Sequence, residues 1–165
     1  MKIAYVINSL EGGGAASPVP DLTRVMKEYG ADVRVFALTR RNGKALPAME
    51  VAGLNVACRN GGESDHFAAA RWLDHQVRDW GASHLWTSLT RATLLGQLVG
   101  MRRHLPVVSW QHNAYLKPWN LRLLRVMQKR SALWVGDSRL VTDMTAERLS
   151  IAQDRLFLWQ IFRAD

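Results

Sequence analysis

Three adjacent glycines, Gly12-Gly13-Gly14, follow directly on an apolar, β-branched run containing Ile3, Tyr5, Val6 and Ile7. Bare backbone N–H groups where a strand meets a helix suit a phosphate or another oxyanion. The spacing falls short of a dinucleotide fingerprint, because Ser17 stands where a G-x-G-x-x-G pattern has its third glycine. The next apolar run ends in Thr39-Arg40-Arg41 rather than in an acid that would hold a ribose. Those arginines suit a 2′-phosphate, so an NADP-dependent reductase is one open reading. A turn that only needs flexible residues is the plainer alternative.

A second candidate is His112, in Trp110-Gln111-His112-Asn113 behind the apolar Val107-Val108. An imidazole there can donate a hydrogen bond or shuttle a proton near neutral pH. His66, His75, His84 and His104 show no metal-ligand spacing, and the single Cys58 excludes both a disulfide framework and a cysteine-based zinc site. No metal is expected. Asp137-Ser138-Arg139 follows another short apolar run, and Ser138 suits the N-cap of the next helix. A nucleophile elbow, a P-loop and an H-E-x-x-H pair are all missing from the sequence.

The third candidate is electrostatic. The 165 residues carry 22 Lys and Arg against 14 Asp and Glu, a net charge of +8. No carboxylate occurs between Asp79 and Asp137, where Arg91, Arg102, Arg103, Lys117, Arg122, Arg125, Lys129 and Arg130 all fall. Charge of one sign over that length suggests an anionic partner: nucleic acid, phospholipid or a phosphorylated small molecule. A solvated basic face is the alternative. Residues 117–130 read as a basic amphipathic helix, with Arg122, Arg125 and Lys129 on one stripe, Leu121, Leu124 and Met127 on another, and Tyr115 and Trp119 at its entrance. That combination suits an anionic membrane surface.

The elements that must position these residues alternate. Apolar runs at 2–10, 33–38, 54–58, 85–88, 106–111, 133–136 and 155–161 read as strands. Helical spacing separates them: a helix opening at Ser17-Pro18-x-Pro20-Asp21 with Ser17 as its cap and ending at Gly30, then helices over 46–52, 66–80, 90–103, 118–130 and 140–149. Such alternation means βαβ units, one domain, a doubly wound parallel sheet of about seven strands and helices on both faces. In such sheets ligands bind beyond the carboxyl ends of the strands, which is where Gly12–Gly14, His112 and Ser138 fall. Composition is globular (48% hydrophobic, 22% charged), and no run of eighteen apolar residues or signal-like stretch occurs, so an intracellular protein is expected.

Taken in order, the segments resemble a known family. A first strand running into Gly12-Gly13-Gly14, a helix, and then Tyr29-Gly30-Ala31-Asp32-Val33-Arg34-Val35 resembles the opening of family-4-type glycosyltransferases of the GT-B fold. His112 after Val107-Val108 resembles that family's strand-then-His segment. Leu133-Trp134-Val135-Gly136-Asp137-Ser138, a helix, and Gln153-Asp154-Arg155-Leu156 resemble its late strand-Ser-helix-x-x-D-R-[IL] stretch. The resemblance implies a Rossmann-like half of a GT-B enzyme that retains anomeric configuration and needs no metal. It implies that Gly13 and Gly14, with Gly12, approach a sugar nucleotide's diphosphate and the transferred sugar. It also implies that His112 hydrogen-bonds that sugar near the reacting carbon, and that Ser138 lines the cleft between two domains.

The family's donor-binding half carries Glu-x7-Glu. Here Glu11, Glu28, Glu50, Glu63 and Glu147 include no pair eight apart, and Ile161-Phe162-Arg163-Ala164-Asp165 does not match the family's Pro-Asn-Gly. Residues 1–165 are therefore expected to be the acceptor-side N-terminal domain without the C-terminal donor-binding domain, inactive alone and monomeric or weakly associated. The expected partners are a nucleotide sugar and an acceptor glycan or lipid, anionic or at the inner face of a membrane, with Lys117, Arg122, Arg125, Lys129 and Arg130 toward that surface and no nucleic acid. A stand-alone module that binds an anionic glycan or lipid is the alternative, and the reductase a more distant one.

Overall fold

The computed structural model describes residues 1–112 and 116–160. Seven strands form one parallel sheet: β1 (Lys2–Ser9), β2 (Asp32–Thr39), β3 (Asn55–Cys58), β4 (His84–Ser88), β5 (Val107–Gln111), β6 (Leu133–Gly136) and β7 (Leu156–Leu158), in the order β3-β2-β1-β4-β5-β6-β7. Among the described residues six α-helices connect them: α1 (Val19–Glu28), α2 (Leu46–Val51), α3 (His66–Trp80), α4 (Thr90–Arg103), α5 (Pro118–Met127) and α6 (Arg139–Leu149). The strand order reverses between β1 and β4, which is the switch point of a doubly wound sheet.

The reversal also assigns the faces. Crossovers in parallel sheets are right-handed, so the connections running one way cover one face and those running the other way cover its opposite. Val19, Leu22 and Met26 of α1 and Met49 of α2 pack with Tyr5, Ile7 and Val35 on one side. Leu73 and Val77 of α3 and Leu95 and Val99 of α4 pack with Val6, Phe36 and Leu85 on the other, and Leu124 of α5 and Leu149 of α6 continue that layer around Trp134. Over β4 and β5 on the α1 side, indoles do the filling. Trp86 lies edge-on to Trp110 at 6.1 Å and to Trp159 at 5.9 Å between ring centroids.

Helix α4 lies close against the sheet because two of its residues have no side chain. A Cβ on Gly96 would come within 2.3 Å of Thr87 Cγ2, and one on Gly100 within 2.4 Å of Val107 Cγ2. Beneath α4 the buried hydroxyls satisfy one another: Thr87 with Ser109 at 3.1 Å, Ser109 with Ser131 at 2.6 Å, and Gln97 Nε2 donating to Ser131 Oγ at 2.8 Å.

Three expectations need correction. Ser17 does not cap α1; its hydroxyl donates to the Gly13 carbonyl at 2.9 Å, and the helix begins two residues later with Pro18 at its N-cap position. The basic helix ends as an α-helix at Met127 and tightens into a 3₁₀ turn over Gln128–Arg130. Arg155, from the Asp154-Arg155-Leu156 stretch, reaches that turn and donates to Gln128 Oε1 at 2.8 Å and to the Ser131 carbonyl at 2.7 Å, closing the loose carbonyls of the helix end. The last strand shrinks to three residues, a short edge of the kind that resists pairing with another chain. Ile161 to Asp165 and Tyr115 lie outside the described residues.

Candidate functional site

The carboxyl ends of β1, β4, β5 and β6 converge at the switch point, and the side chains there divide between the two faces. Successive side chains of a strand alternate, so at the end of β5 Trp110 and His112 project to one side and Gln111 to the other.

On the Trp110 side lies a buried polar chain. Ser88, the last residue of β4, sits with its Oγ 2.6 Å from His112 Nε2. Asp137, one residue past β6, brings Oδ2 to 3.5 Å from His112 Nδ1. That nitrogen has no aligned hydrogen bond among the described residues. The Trp110 and His112 rings lie 4.1 Å apart, and the His112 side chain is only 6% exposed. Burial therefore pulls the imidazole down to about 4, leaving it neutral at physiological pH, and it raises the Asp137 carboxyl as well. The Tyr5 hydroxyl is fully buried beside Ser88, and its ionisation is pushed up chiefly by that burial. Its oxygen lacks an aligned partner among the described residues.

The geometry has the order Ser–His–Asp, but Ser88 is fully buried and cannot reach a substrate as a nucleophile. Ser88 instead fixes the ring through Nε2, and Asp137 lies across from Nδ1 without an aligned hydrogen bond.

The Gly12–Gly14 loop is an exposed turn tied down by one carbonyl. Gly13 O accepts from Ala16 N at 3.0 Å, Ser17 N at 3.0 Å and Ser17 Oγ at 2.9 Å. The first turn of α1 begins at Val19, so the helix does not present its own N–H groups through these glycines. Ser138 is the N-cap of α6, its Oγ accepting from Val141 N at 3.2 Å. Its carbonyl accepts the Thr142 hydroxyl at 2.8 Å.

On the Gln111 side a cavity of about 880 Å³ opens between the strand ends and helices α4 and α5. It is lined by Asn8, Glu11, Thr39 and Arg41 from the β1 and β2 ends, by Glu63, by Leu94 and Leu98 of α4, and by Trp119, Leu123 and Met127 of α5. His112, the three glycines and Ser138 do not line it, whereas Arg41, Arg91, Lys117 and Trp119 do. Arg41 is clasped by Glu11 and Glu63, donating to Glu63 Oε2 at 2.8 Å. Both carboxylates hold its charge, so of the two arginines on which the NADP reading rests, Arg41 is already engaged, while Arg40 is exposed.

Leu89 joins Ser88 to α4 with φ +76° and ψ 161°, a region occupied almost only by glycine. The cap that α4 lacks locally comes from β1: Asn8 Oδ1 accepts from Ala92 N at 2.7 Å.

The basic stretch is less bare than it reads. Arg91 pairs with Asp65 at 3.1 Å, Arg102 and Arg103 with Asp74 at 3.5 and 2.6 Å, and Arg125 donates to the Arg148 carbonyl at 2.6 and 2.9 Å. Two carboxylates from the first half of the chain thus contact three of the eight cations, Asp65 being shared with Arg59 as well. Lys117, Arg122, Lys129 and Arg130 remain exposed, beside Trp119 and Val126, which are 67% and 80% exposed. Among the described residues no three His, Cys, Asp or Glu side chains form a group that could hold a metal ion, and no helix is long and apolar enough to cross a membrane.

No family model and no curated protein matches the sequence. Solved structures do match in fold. The protein HepE of Anabaena, in complex with UDP-glucose, superposes with a TM-score of 0.81 at 15% identity over 96% of this chain and 43% of its own. WaaB, a lipopolysaccharide outer core galactosyltransferase, matches at 0.74 and 12% identity over 95% of this chain and 44% of its own. The UDP-GlcNAc 2-epimerase of Neisseria meningitidis, bound to UDP-GlcNAc, matches at 0.67 and 16% over 96% and 46%. This chain has the Rossmann-like α/β fold of one half of a GT-B protein, and it spans less than half the length of the structures it matches.

Proposed function

We propose that this chain is the acceptor-side half of a retaining glycosyltransferase that moves a sugar from a nucleotide-activated donor to a glycan or lipid acceptor. The observation that carries the reading is the layout of the switch point. The Gly12–Gly14 loop and His112 leave the carboxyl ends of strands separated only by β4, and a cavity large enough for an acceptor opens at the same end of the sheet, on the Gln111 side. HepE with UDP-glucose and WaaB share the fold.

In this reading Gly13 and Gly14 lie against the donor's diphosphate and sugar. Added Cβ atoms there would meet nothing within 4 Å, so the fold itself does not demand glycine at either position. His112, neutral and fixed through Nε2 by Ser88, keeps Nδ1 without an aligned partner among the described residues, and that nitrogen is the hydrogen-bonding group for the transferred sugar. Ser138 lines the cleft toward a donor-binding domain, which supplies most of the nucleotide contacts. Trp119, Arg122, Val126, Lys129 and Arg130 face the inner surface of an anionic membrane. A stand-alone module that binds an anionic glycan or lipid is the second reading, favoured by a cavity of about 880 Å³ with both polar and apolar walls.

The test supplies the chain with a donor-binding GT-B domain, by fusion or in trans, together with labelled UDP-sugars and a lipid extract as acceptor. Labelled glycolipid is expected only when both domains are present. Product from the chain alone would overturn the division of labour, and no product from a well-folded two-domain protein would overturn the transferase reading.

A further inference from the structure

The cavity beside Gln111 has a polar end and an apolar end, and the sheet order separates them. Asn8, Thr39, Glu11 and Arg41 come from the ends of β1 and β2, with Glu63 on the loop after β3. Leu94, Leu98, Leu123 and Met127 come from α4 and α5, on the far side of the switch point. Between the two ends stand two buried donors without partners among the described residues, Gln111 Nε2 and Arg91 Nε. Gln111 is 3% exposed yet lines the cavity, and a buried amide N–H left unpaired costs free energy that a ligand acceptor atom would recover.

We infer that this cavity binds a single-chain amphiphile with an uncharged, hydroxyl-bearing head, a glycolipid or alkyl glycoside in chemical class. Calling that ligand the acceptor rests on the transferase reading; the binding itself does not. The head is uncharged because two carboxylates, Glu11 and Glu63, line the polar end. They outnumber Arg41 there, Arg91 shares Asp65 with Arg59, and the remaining cation of the lining, Lys117, belongs to the start of α5 rather than to that end. A phosphate head would meet two carboxylates there, whereas hydroxyls can accept from Gln111 and Arg91 and donate to Glu11 and Glu63. The tail lies along Leu94, Leu98, Leu123 and Met127 and leaves past Trp119, whose exposed ring borders both the cavity and the basic, apolar stripe of α5. This departs from the anionic acceptor that the net charge suggests.

Calorimetric titration of the 165-residue chain, with all ligands below their micellar concentrations, tests the inference. Octyl glucoside is expected to bind at least tenfold more tightly than methyl glucoside, which lacks the tail, and at least tenfold more tightly than octyl phosphate, which carries a charged head. Gln111→Leu should weaken octyl glucoside about tenfold while leaving the melting temperature unchanged or higher, since it removes an unpaired buried donor; a merely structural glutamine would instead lower it. Leu98→Glu, at a part-exposed position, should weaken octyl glucoside without unfolding the chain.

Equal or tighter binding of octyl phosphate would overturn the uncharged head. Equal binding of methyl glucoside would overturn the tail site, and no binding of any probe would overturn the amphiphile altogether. None of these measurements involves transfer, so they fail or succeed separately from the two-domain activity test.

Discussion

Ser88 Oγ and His112 Nε2 lie 2.6 Å apart at the carboxyl ends of two adjacent strands, β4 and β5. The contact joins a residue that carries no sequence signal to one that does. It orients an imidazole that burial, rather than this contact, keeps neutral.

That burial predicts a pH dependence of stability. The folded imidazole is pulled down to about 4, whereas an unfolded histidine titrates near ~6.5. The unfolded chain then binds the proton more readily, so the contribution of His112 is complete above ~6.5, falls as the pH drops, and levels off below about 4. A gap of that size amounts to about 3 kcal/mol in full, of which about 2 kcal/mol is lost between pH 7 and pH 5. Asp137 works in the opposite sense. Its raised folded value favours the protonated form in the fold and returns part of the loss at the acid end. Urea melts at pH 7 and pH 5 should show the drop in the natural chain and a flattened dependence in His112→Gln. Parallel curves for the two proteins would mean that His112 is not buried in solution.

Leu89 predicts an inversion of the usual glycine penalty. Its backbone occupies a region that costs a side-chain-bearing residue about 1–3 kcal/mol, and glycine nothing comparable. Leu89→Gly should therefore melt higher than Leu89→Ala, by about 1 kcal/mol or more, although it has one carbon fewer. In an ordinary helix or strand the order is reversed. Thermal denaturation of the two variants side by side decides it.

The glycine loop predicts function lost without stability lost. With open space around Gly13 and Gly14 and no left-handed φ at either, alanine at both positions should change stability by less than about 0.5 kcal/mol. In the two-domain protein of the activity test the same change should abolish most of the transfer, because a methyl group would stand where the donor's phosphates approach. Unfolding of the double variant would make the glycines structural.

The fold was legible because strand and helix periods differ and alternate cleanly. Val107-Val108, Leu133 to Gly136 and the 66–80 helix need no tertiary knowledge to place. The switch point was legible only as a region. Whether His112 or Gln111 lines a cavity depends on which way β5 presents its alternating side chains, and a sequence states the alternation but not the face. The clasp of Glu11 and Glu63 on Arg41 spans 30 and 22 residues, so no local spacing announces it. Asp74 is likewise 28 and 29 residues from Arg102 and Arg103, which is why a carboxylate-free stretch of sequence is not a carboxylate-free surface. Asn8 and Ser88 escaped notice for the same reason, since each serves an element remote in the chain.

That compensation narrows the last prediction, on the membrane face of α5. Arg125, though exposed, is tied to the Arg148 carbonyl, and Lys129 stands on a 3₁₀ turn, so the stripe of Arg122, Arg125 and Lys129 read from helical spacing is not one free cationic face. The outward side chains are Trp119, Arg122 and Val126, three and four residues apart, continued by Lys129 and Arg130. A ring and a branched apolar side chain among three cations can sit at headgroup depth, each cation adding about 1 kcal/mol near an anionic surface. Attachment should therefore be weak and reversible, and it should fade with salt as the Debye length falls from about 10 Å at 0.1 M to about 3 Å at 1 M. Co-sedimentation with phosphatidylglycerol vesicles measures it. Arg122→Glu with Arg130→Glu should release the chain, and Trp119→Ala should weaken it at every salt concentration, whereas Arg125→Gln should change the vesicle-bound fraction least. Equal binding to neutral phosphatidylcholine vesicles, or none to anionic ones, would mean that this face of α5 is only solvated.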